Sequence, residues 1–314
     1  MIRLLAFTLF ATPALADVDA ILDQHVLPRV DSFAAATDRL AEAPCDPAAL
    51  KPAFAEASVA WAGMSHLTLG PVEEAGRGRS ILFWPDRRDA TDRGLRLLTA
   101  QGEEAWTPEA IARASVAARG LGALERLIFE RAAEPCALTL ALAGDLASTA
   151  AAVQAGWDGD FAELMRTAGA PGNTRFLAPE EVERAFYTAL VSGLEFLTDQ
   201  RLGAPLNTFD DPRPARAELR RAGLAAPMIA TQIAALQELA ALLAPAPETQ
   251  ASLARALEQA RGIEDPTLAG VADPSQRASI EALQTTLGAA RRQVDAEIGG
   301  ILGISAGFNA LDGD

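Results

Sequence analysis

Residues 119–130 read RGLGALERLIFE, late in a run that starts with Thr107-Pro108-Glu109. That triplet supplies an N-cap, a proline tolerated in the first turn and an early acid, so a helix is predicted over 107–132. On a 3.6-residue period Leu121, Leu124 and Ile128 share one face, and Glu125 falls there with them. A carboxylate on an apolar face is costly unless something pairs with it. Two readings stay open: a structural acid bonded to an arginine of a neighbouring helix, or a functional acid in a cleft. Gly120 and Gly122 would each cost about 1 kcal/mol against alanine in a helix interior, which points to close approach of another backbone or a ligand.

Outward from this stretch, the chain keeps the same character. Alanine, leucine, glutamate and arginine dominate, and β-branched and aromatic runs are rare. The expectation is an all-α protein. A first helix is predicted over 18–42 with Pro28 kinking it or lying close to a turn, and a second over 47–69 with Leu50, Phe54, Ala57 and Trp61 on one stripe. Residues 70–92 hold Gly70-Pro71, Gly76, Gly78 and Pro85, and a long irregular stretch in a helical protein is often functional. After a helix opened by Pro135, the breakers at 169–173 (GAPGN) mark the best internal boundary. The expected organisation is two packed helical bundles, 17–168 and 174–314. The second holds helices over 179–203, 215–243 with breaks at Gly223 and Pro227, 248–262 and 275–302. A weak internal match, LGALERL at 121–127 against VSGLEFL at 191–197, pairs Glu125 with Glu195 and suggests a duplication.

The first sixteen residues read as a secretory signal: Arg3, an apolar core at 4–10, and Ala14-Leu15-Ala16 as cleavage site. The mature chain is then expected to start at Asp17, soluble outside the cytoplasm, with no further apolar run approaching a membrane span. Loss of Arg3 takes the net charge from −15 to −16. An acidic chain disfavours nucleic acid and anionic lipid as partners. The two cysteines, Cys45 and Cys136, read as one disulfide in an exported protein, the alternative being two buried thiols.

Several pieces, taken in order, resemble the imelysin-like family. GLGALE at 120–125 is similar to its GxHxxE motif, with Gly122 in the histidine's place. His25-Val26-Leu27-Pro28 followed by Phe33 looks like the family's first helix. Trp61, Met64-Ser65-His66, Gly70-Pro71, then Ile81, Phe83-Trp84-Pro85-Asp86 follow at the family's distances, and 307–314 (GFNALDGD) is similar to its usual ending. The resemblance implies a periplasmic protein linked to iron uptake, with a ligand groove between two bundles. It also carries a historical peptidase label.

The residues support that chemistry unevenly. A His and an acid three apart on a helix can hold one metal, but Gly122 has no side chain, so only Glu125 carries over. His66 is the candidate substitute ligand, with capping or core packing as the plainer role. His25 reads as a packed or surface residue. An oxygen-rich iron or calcium site would draw on Glu125, Glu73, Glu74 or Asp86. No HExxH and no Gly-x-Ser-x-Gly occurs, which argues against a peptidase. In the second half Asn207, Arg220 and Arg221 lie where the family builds its groove, and arginines there suit a carboxylate. Their plainer role is a solvated surface helix. The expected ligand is iron or an iron complex. The second reading is a metal-free interaction protein that docks a cell-envelope partner or a carboxylated ligand.

Overall fold

The computed structural model describes residues 16–86, 88–131 and 135–304. The signal reading at 1–15 and the ending at 307–314 lie outside them. Among the described residues there is no strand, only an isolated antiparallel bridge between Thr208 and Asp211. The all-α expectation holds.

Among the described residues, nine longer helices carry the fold: α1 Leu27–Glu42, α2 Pro47–Met64, α3 Ala90–Gln101, α4 Gly120–Phe129, α5 Cys136–Gly156, α6 Pro179–Glu195, α7 Ala225–Leu243, α8 Pro247–Arg261 and α9 Pro274–Val294. The stripes read from the sequence are the buried ones. Leu50, Phe54, Ala57 and Trp61 of α2 and Leu121, Leu124 and Ile128 of α4 all lie in the core. Each such large side chain contributes roughly 1.5–3 kcal/mol on burial. α1 packs on α2 and α5, and α4 packs on α2 and α5. Among the later helices α7 packs on α6 and α8, and α9 on α8 and α6. α7 also packs on α2 and on the wide, π-type turn Ile21–Val26 that precedes α1.

The predicted helix over 107–132 is three pieces. Thr107 caps as expected, its hydroxyl accepting from the Ala110 N–H, but the first piece ends at Ala112. A 3-10 turn, Val116–Ala118, follows, and α4 restarts at Gly120. Gly120 has φ +66°, and a Cβ there would lie 2.1 Å from the Ser80 carbonyl oxygen and 2.3 Å from that of Ile81. The close backbone approach anticipated for this stretch therefore falls on Gly120. The break also frees Arg119, whose buried guanidinium binds both Asp145 oxygens at 2.8 Å and ties α4 to α5.

Cys45 and Cys136 form a disulfide, joining the loop after α1 to the start of α5, with Cα atoms 6.1 Å apart. The peptide Trp84–Pro85 is cis. Contrary to the expectation of no long apolar run, the stretch Cys136–Arg166 and α7 are each long and apolar enough by length and composition to cross a bilayer. Alanine and leucine give them that character, and about half of each apolar window is buried against other helices. Glu125 and Glu195, aligned by the internal match, occupy unlike surroundings. Glu125 is buried, whereas Glu195 is partly exposed and pairs with Arg291 at 2.8 Å.

Candidate functional site

Glu125 projects from α4 toward the loop before α7. Its Oε1 accepts the main-chain N–H groups of Arg221 (2.8 Å) and Ala222 (3.2 Å), and its Oε2 lies 3.5 Å from Arg221 Nη1. Burial raises its pKa above the ordinary carboxylate value, and Arg221 and the two amides offset part of that rise. Arg221 also pairs with Glu130. Gly122, Glu125, Arg126, Arg216 and Arg221 line a small cavity of about 90 Å³. A Cβ on Gly122 would meet only the Phe83 carbonyl oxygen, at 3.6 Å, an ordinary contact.

His66 lines a different and larger cavity of about 520 Å³. Trp61, Trp84 and Phe196 give it aromatic walls, and Arg201, Glu218 and Gln232 its polar groups. Leu82 and Trp84 belong to the walls of both cavities, so the extended stretch after Ile81 separates them. The walls come from α2, residues 65–84, α6, the wide turn Phe196–Leu202, the loop before α7, and α7 itself.

The polar wall is closely wired. Arg201 Nε lies 2.5 Å from Glu218 Oε2, both side chains almost fully buried. Burial raises the Glu218 pKa, and the Arg201 charge and hydrogen bond work against it. Arg201 Nη1 also donates to Gln232 Oε1 at 2.7 Å. His66 Nε2 lies 2.8 Å from His25 Nε2, and His25 Nδ1 lies 3.3 Å from Glu238 Oε1. Glu238 in turn accepts from Arg29 at 3.1 and 2.9 Å. Burial first, and the positive charges nearby second, push His25 down to about 3 and His66 well below its ordinary value, so both rings are neutral.

The remaining predicted residues scatter. Asn207 Nδ2 holds the Asp211 carbonyl at 2.7 Å within its own loop, and Arg220 Nε donates to the Ala215 carbonyl at 3.3 Å. Neither lines either cavity. Glu73 lines the large cavity, Glu74 pairs with Arg77, and Asp86 accepts the Ala90 and Thr91 N–H groups at the start of α3. Among the described residues no three His, Cys, Asp or Glu side chains gather as a metal site. Sequence reasoning passed over Arg201. It continues the stripe Leu190, Leu194, Leu197 at helical spacing, the same signal that singled out Glu125. His25 is fully buried and bonded to His66, which its place in the first-helix motif did not disclose.

The family model described as Imelysin matches residues 22–294. A solved imelysin-like protein from Psychrobacter arcticum 273-4 superposes with a TM-score of 0.74 at 19% identity, covering 93% of this chain and 96% of that one. A protein of Parabacteroides distasonis ATCC 8503, described as an iron-regulated protein A precursor, superposes with a TM-score of 0.66 at 14% identity, covering 90% and 94%. No curated protein matches at a significant level. The motif order, the helical architecture and a family match over most of its length agree: the chain belongs to the imelysin family.

Proposed function

We propose that this chain is an exported binding protein whose ligand occupies the groove containing the two cavities, chiefly the larger one. The observation that carries the reading is the 520 Å³ cavity with three aromatic side chains in its walls and few, fixed polar groups. That is the usual make-up of a small-molecule site. The iron link comes from one structural relative, the iron-regulated protein A precursor of Parabacteroides distasonis. The donor set here does not fit a bare iron ion. Glu125 is already satisfied by two amides and an arginine, and His66 sits in the other cavity. Iron as cargo would therefore arrive inside an organic chelate, whose own atoms fill its coordination sphere.

Trp61 and Trp84 line the cavity, so ligand binding can be read by tryptophan fluorescence alongside calorimetry. The expected result is saturable binding of a ferric complex of a small hydroxamate chelator, lost in Trp84→Leu. Saturable binding of Fe(II) or Fe(III) salts that vanishes in Glu125→Gln would instead return the site to Glu125. A second reading rests on Arg126, Arg216 and Arg221 around the small cavity, which suit a carboxylated ligand. Competition by carboxylates, lost in Arg216→Ala, would favour it.

The export step and the division at 169–173 belong to the same proposal. Exported protein should start at Asp17, which mass analysis of the secreted chain reads directly. Limited proteolysis should cut first in the turn at 169–173, since four of its five residues are exposed. First cuts elsewhere would move the boundary.

A further inference from the structure

Four buried polar atoms in the wall of the large cavity have no hydrogen-bond partner; Arg201 Nε and Glu218 Oε2 face each other in their ion pair, which leaves Nδ1 of His66 and Nε2 of Gln232 with nothing opposite them. His66 is 1% exposed and Gln232 fully buried. Leaving such groups unsatisfied costs about 1–3 kcal/mol each, so their presence in a cavity wall points to a ligand that meets them.

Their hydrogen-bonding sense follows from their neighbours. Glu238 accepts from both terminal nitrogens of Arg29 and has no proton to give, so His25 donates to it through Nδ1–H. A neutral imidazole carries one proton, which leaves His25 Nε2 as an acceptor. His66 therefore donates through Nε2–H across the 2.8 Å contact, and its Nδ1 is left as a bare lone pair. Gln232 is fixed just as firmly. Its Oε1 accepts from Arg201, so the other end of the amide is the donor –NH₂. The wall of the cavity thus holds one unpaired acceptor and one unpaired donor, both just beneath its surface. Its deep charges, Arg201 and Glu218, cancel in a buried pair, and Glu73 and Arg79 in the wall are of opposite sign. A charged ligand would lose its hydration there, the deep ion pair is already engaged, and Glu73 and Arg79 together add no net charge.

Resting on the binding role proposed above, we infer that the large cavity takes an uncharged aromatic molecule carrying an N–H or O–H donor beside a carbonyl, of the amide or hydroxamic acid class. The donor meets His66 Nδ1, the carbonyl accepts from Gln232 Nε2, and the ring lies among Trp61, Trp84 and Phe196. Glu238 and His25 are positioning residues, since they fix which nitrogen of His66 is bare.

Benzamide and benzhydroxamic acid are the probes, with N,N-dimethylbenzamide (same carbonyl, no N–H) and benzoate as controls. The first two should bind about tenfold more tightly than either control, the worth of one hydrogen bond at the upper end of its range. His66→Phe should erase the preference over dimethylbenzamide, and Gln232→Leu should weaken both amides alike, since both present the carbonyl. The ¹⁵N spectrum of the unaltered, ligand-free protein gives an independent check. His66 Nδ1 should resonate as an unprotonated, pyridine-type nitrogen and move upfield when benzamide is added. A protonated His66 Nδ1, or dimethylbenzamide binding as well as benzamide, overturns the inference. If the ferric chelate binds and none of these probes does, the ligand class is wrong while the cavity remains the site. If neither binds, the cavity reading falls as well.

Discussion

Glu125 Oε1 receives the main-chain N–H groups of both Arg221 and Ala222, so one side chain of α4 fastens the loop that leads into α7. Glutamine keeps an acceptor oxygen at that point and alanine does not. Glu125→Gln should therefore hold its stability within about 1 kcal/mol, while Glu125→Ala loses about 1–3 kcal/mol through two orphaned amides. The pH profile adds a sign. Burial raises this carboxyl above 4.5, so its contribution is fully present below 4.5 and is lost as pH rises through the folded value. Urea titrations from pH 4.5 to 8 should show that fall in the parent and not in Glu125→Gln.

Gly120 and Gly122 separate cleanly. Alanine at Gly122 makes one ordinary contact and removes a helix-interior glycine, so stability should rise by up to about 1 kcal/mol. Alanine at Gly120 would sit at positive φ and press on two carbonyl oxygens of Arg77–Ile81. Strain and overpacking together should cost about 2–6 kcal/mol. Equal melting temperatures for the two variants would contradict this assignment.

The Arg201–Glu218 pair is buried on both sides. Removing one partner strands the other charge, so Arg201→Met or Glu218→Leu alone should each cost about 3–5 kcal/mol. The double variant should cost much less than the sum of the two. A double-mutant cycle in urea measures the coupling, and simple additivity would mean the pair is not formed.

His25 and His66 make the fold sensitive to mild acid. The unfolded chain takes up protons at both rings below about 6.5, and the folded chain refuses them, at His25 down to about 3. Their stabilisation is thus complete above 6.5 and falls as pH drops toward the folded values, by up to about 1.4 kcal/mol per unit for each ring. Glu125 acts in the opposite sense over part of this range. Replacing both histidines, as in His25→Leu with His66→Phe, should flatten the profile between pH 5 and 6.5.

The helical class and the family were legible because they are written locally, in spacing, caps and short motifs such as 120–125 and 81–86. The disulfide needed only a count of cysteines and a compartment. Glu125 could be found because a charge on an apolar stripe is a local anomaly. Its partners could not, since Arg221 and Ala222 lie almost a hundred positions away and donate through their main chain, which carries no residue-type signature. The large cavity was illegible for the same reason. Trp61, His66, Trp84, Phe196, Arg201, Glu218 and Gln232 meet only through tertiary packing. The break before Gly120 was missed because the apolar period continues through 111–128 while the backbone does not.

α7 lies against helices from both halves of the chain, and this sets an order of events during synthesis. The faces of α2 and of the turn Ile21–Val26 that α7 covers have no partner until residue 243 has been made. His25 likewise waits for Glu238. A polypeptide cut short after Arg166 would display those apolar faces to water, and a nascent chain displays them for as long as translation takes to reach the end of α7. Whatever keeps the first half from aggregating in that interval must act on the surface that α7 later hides.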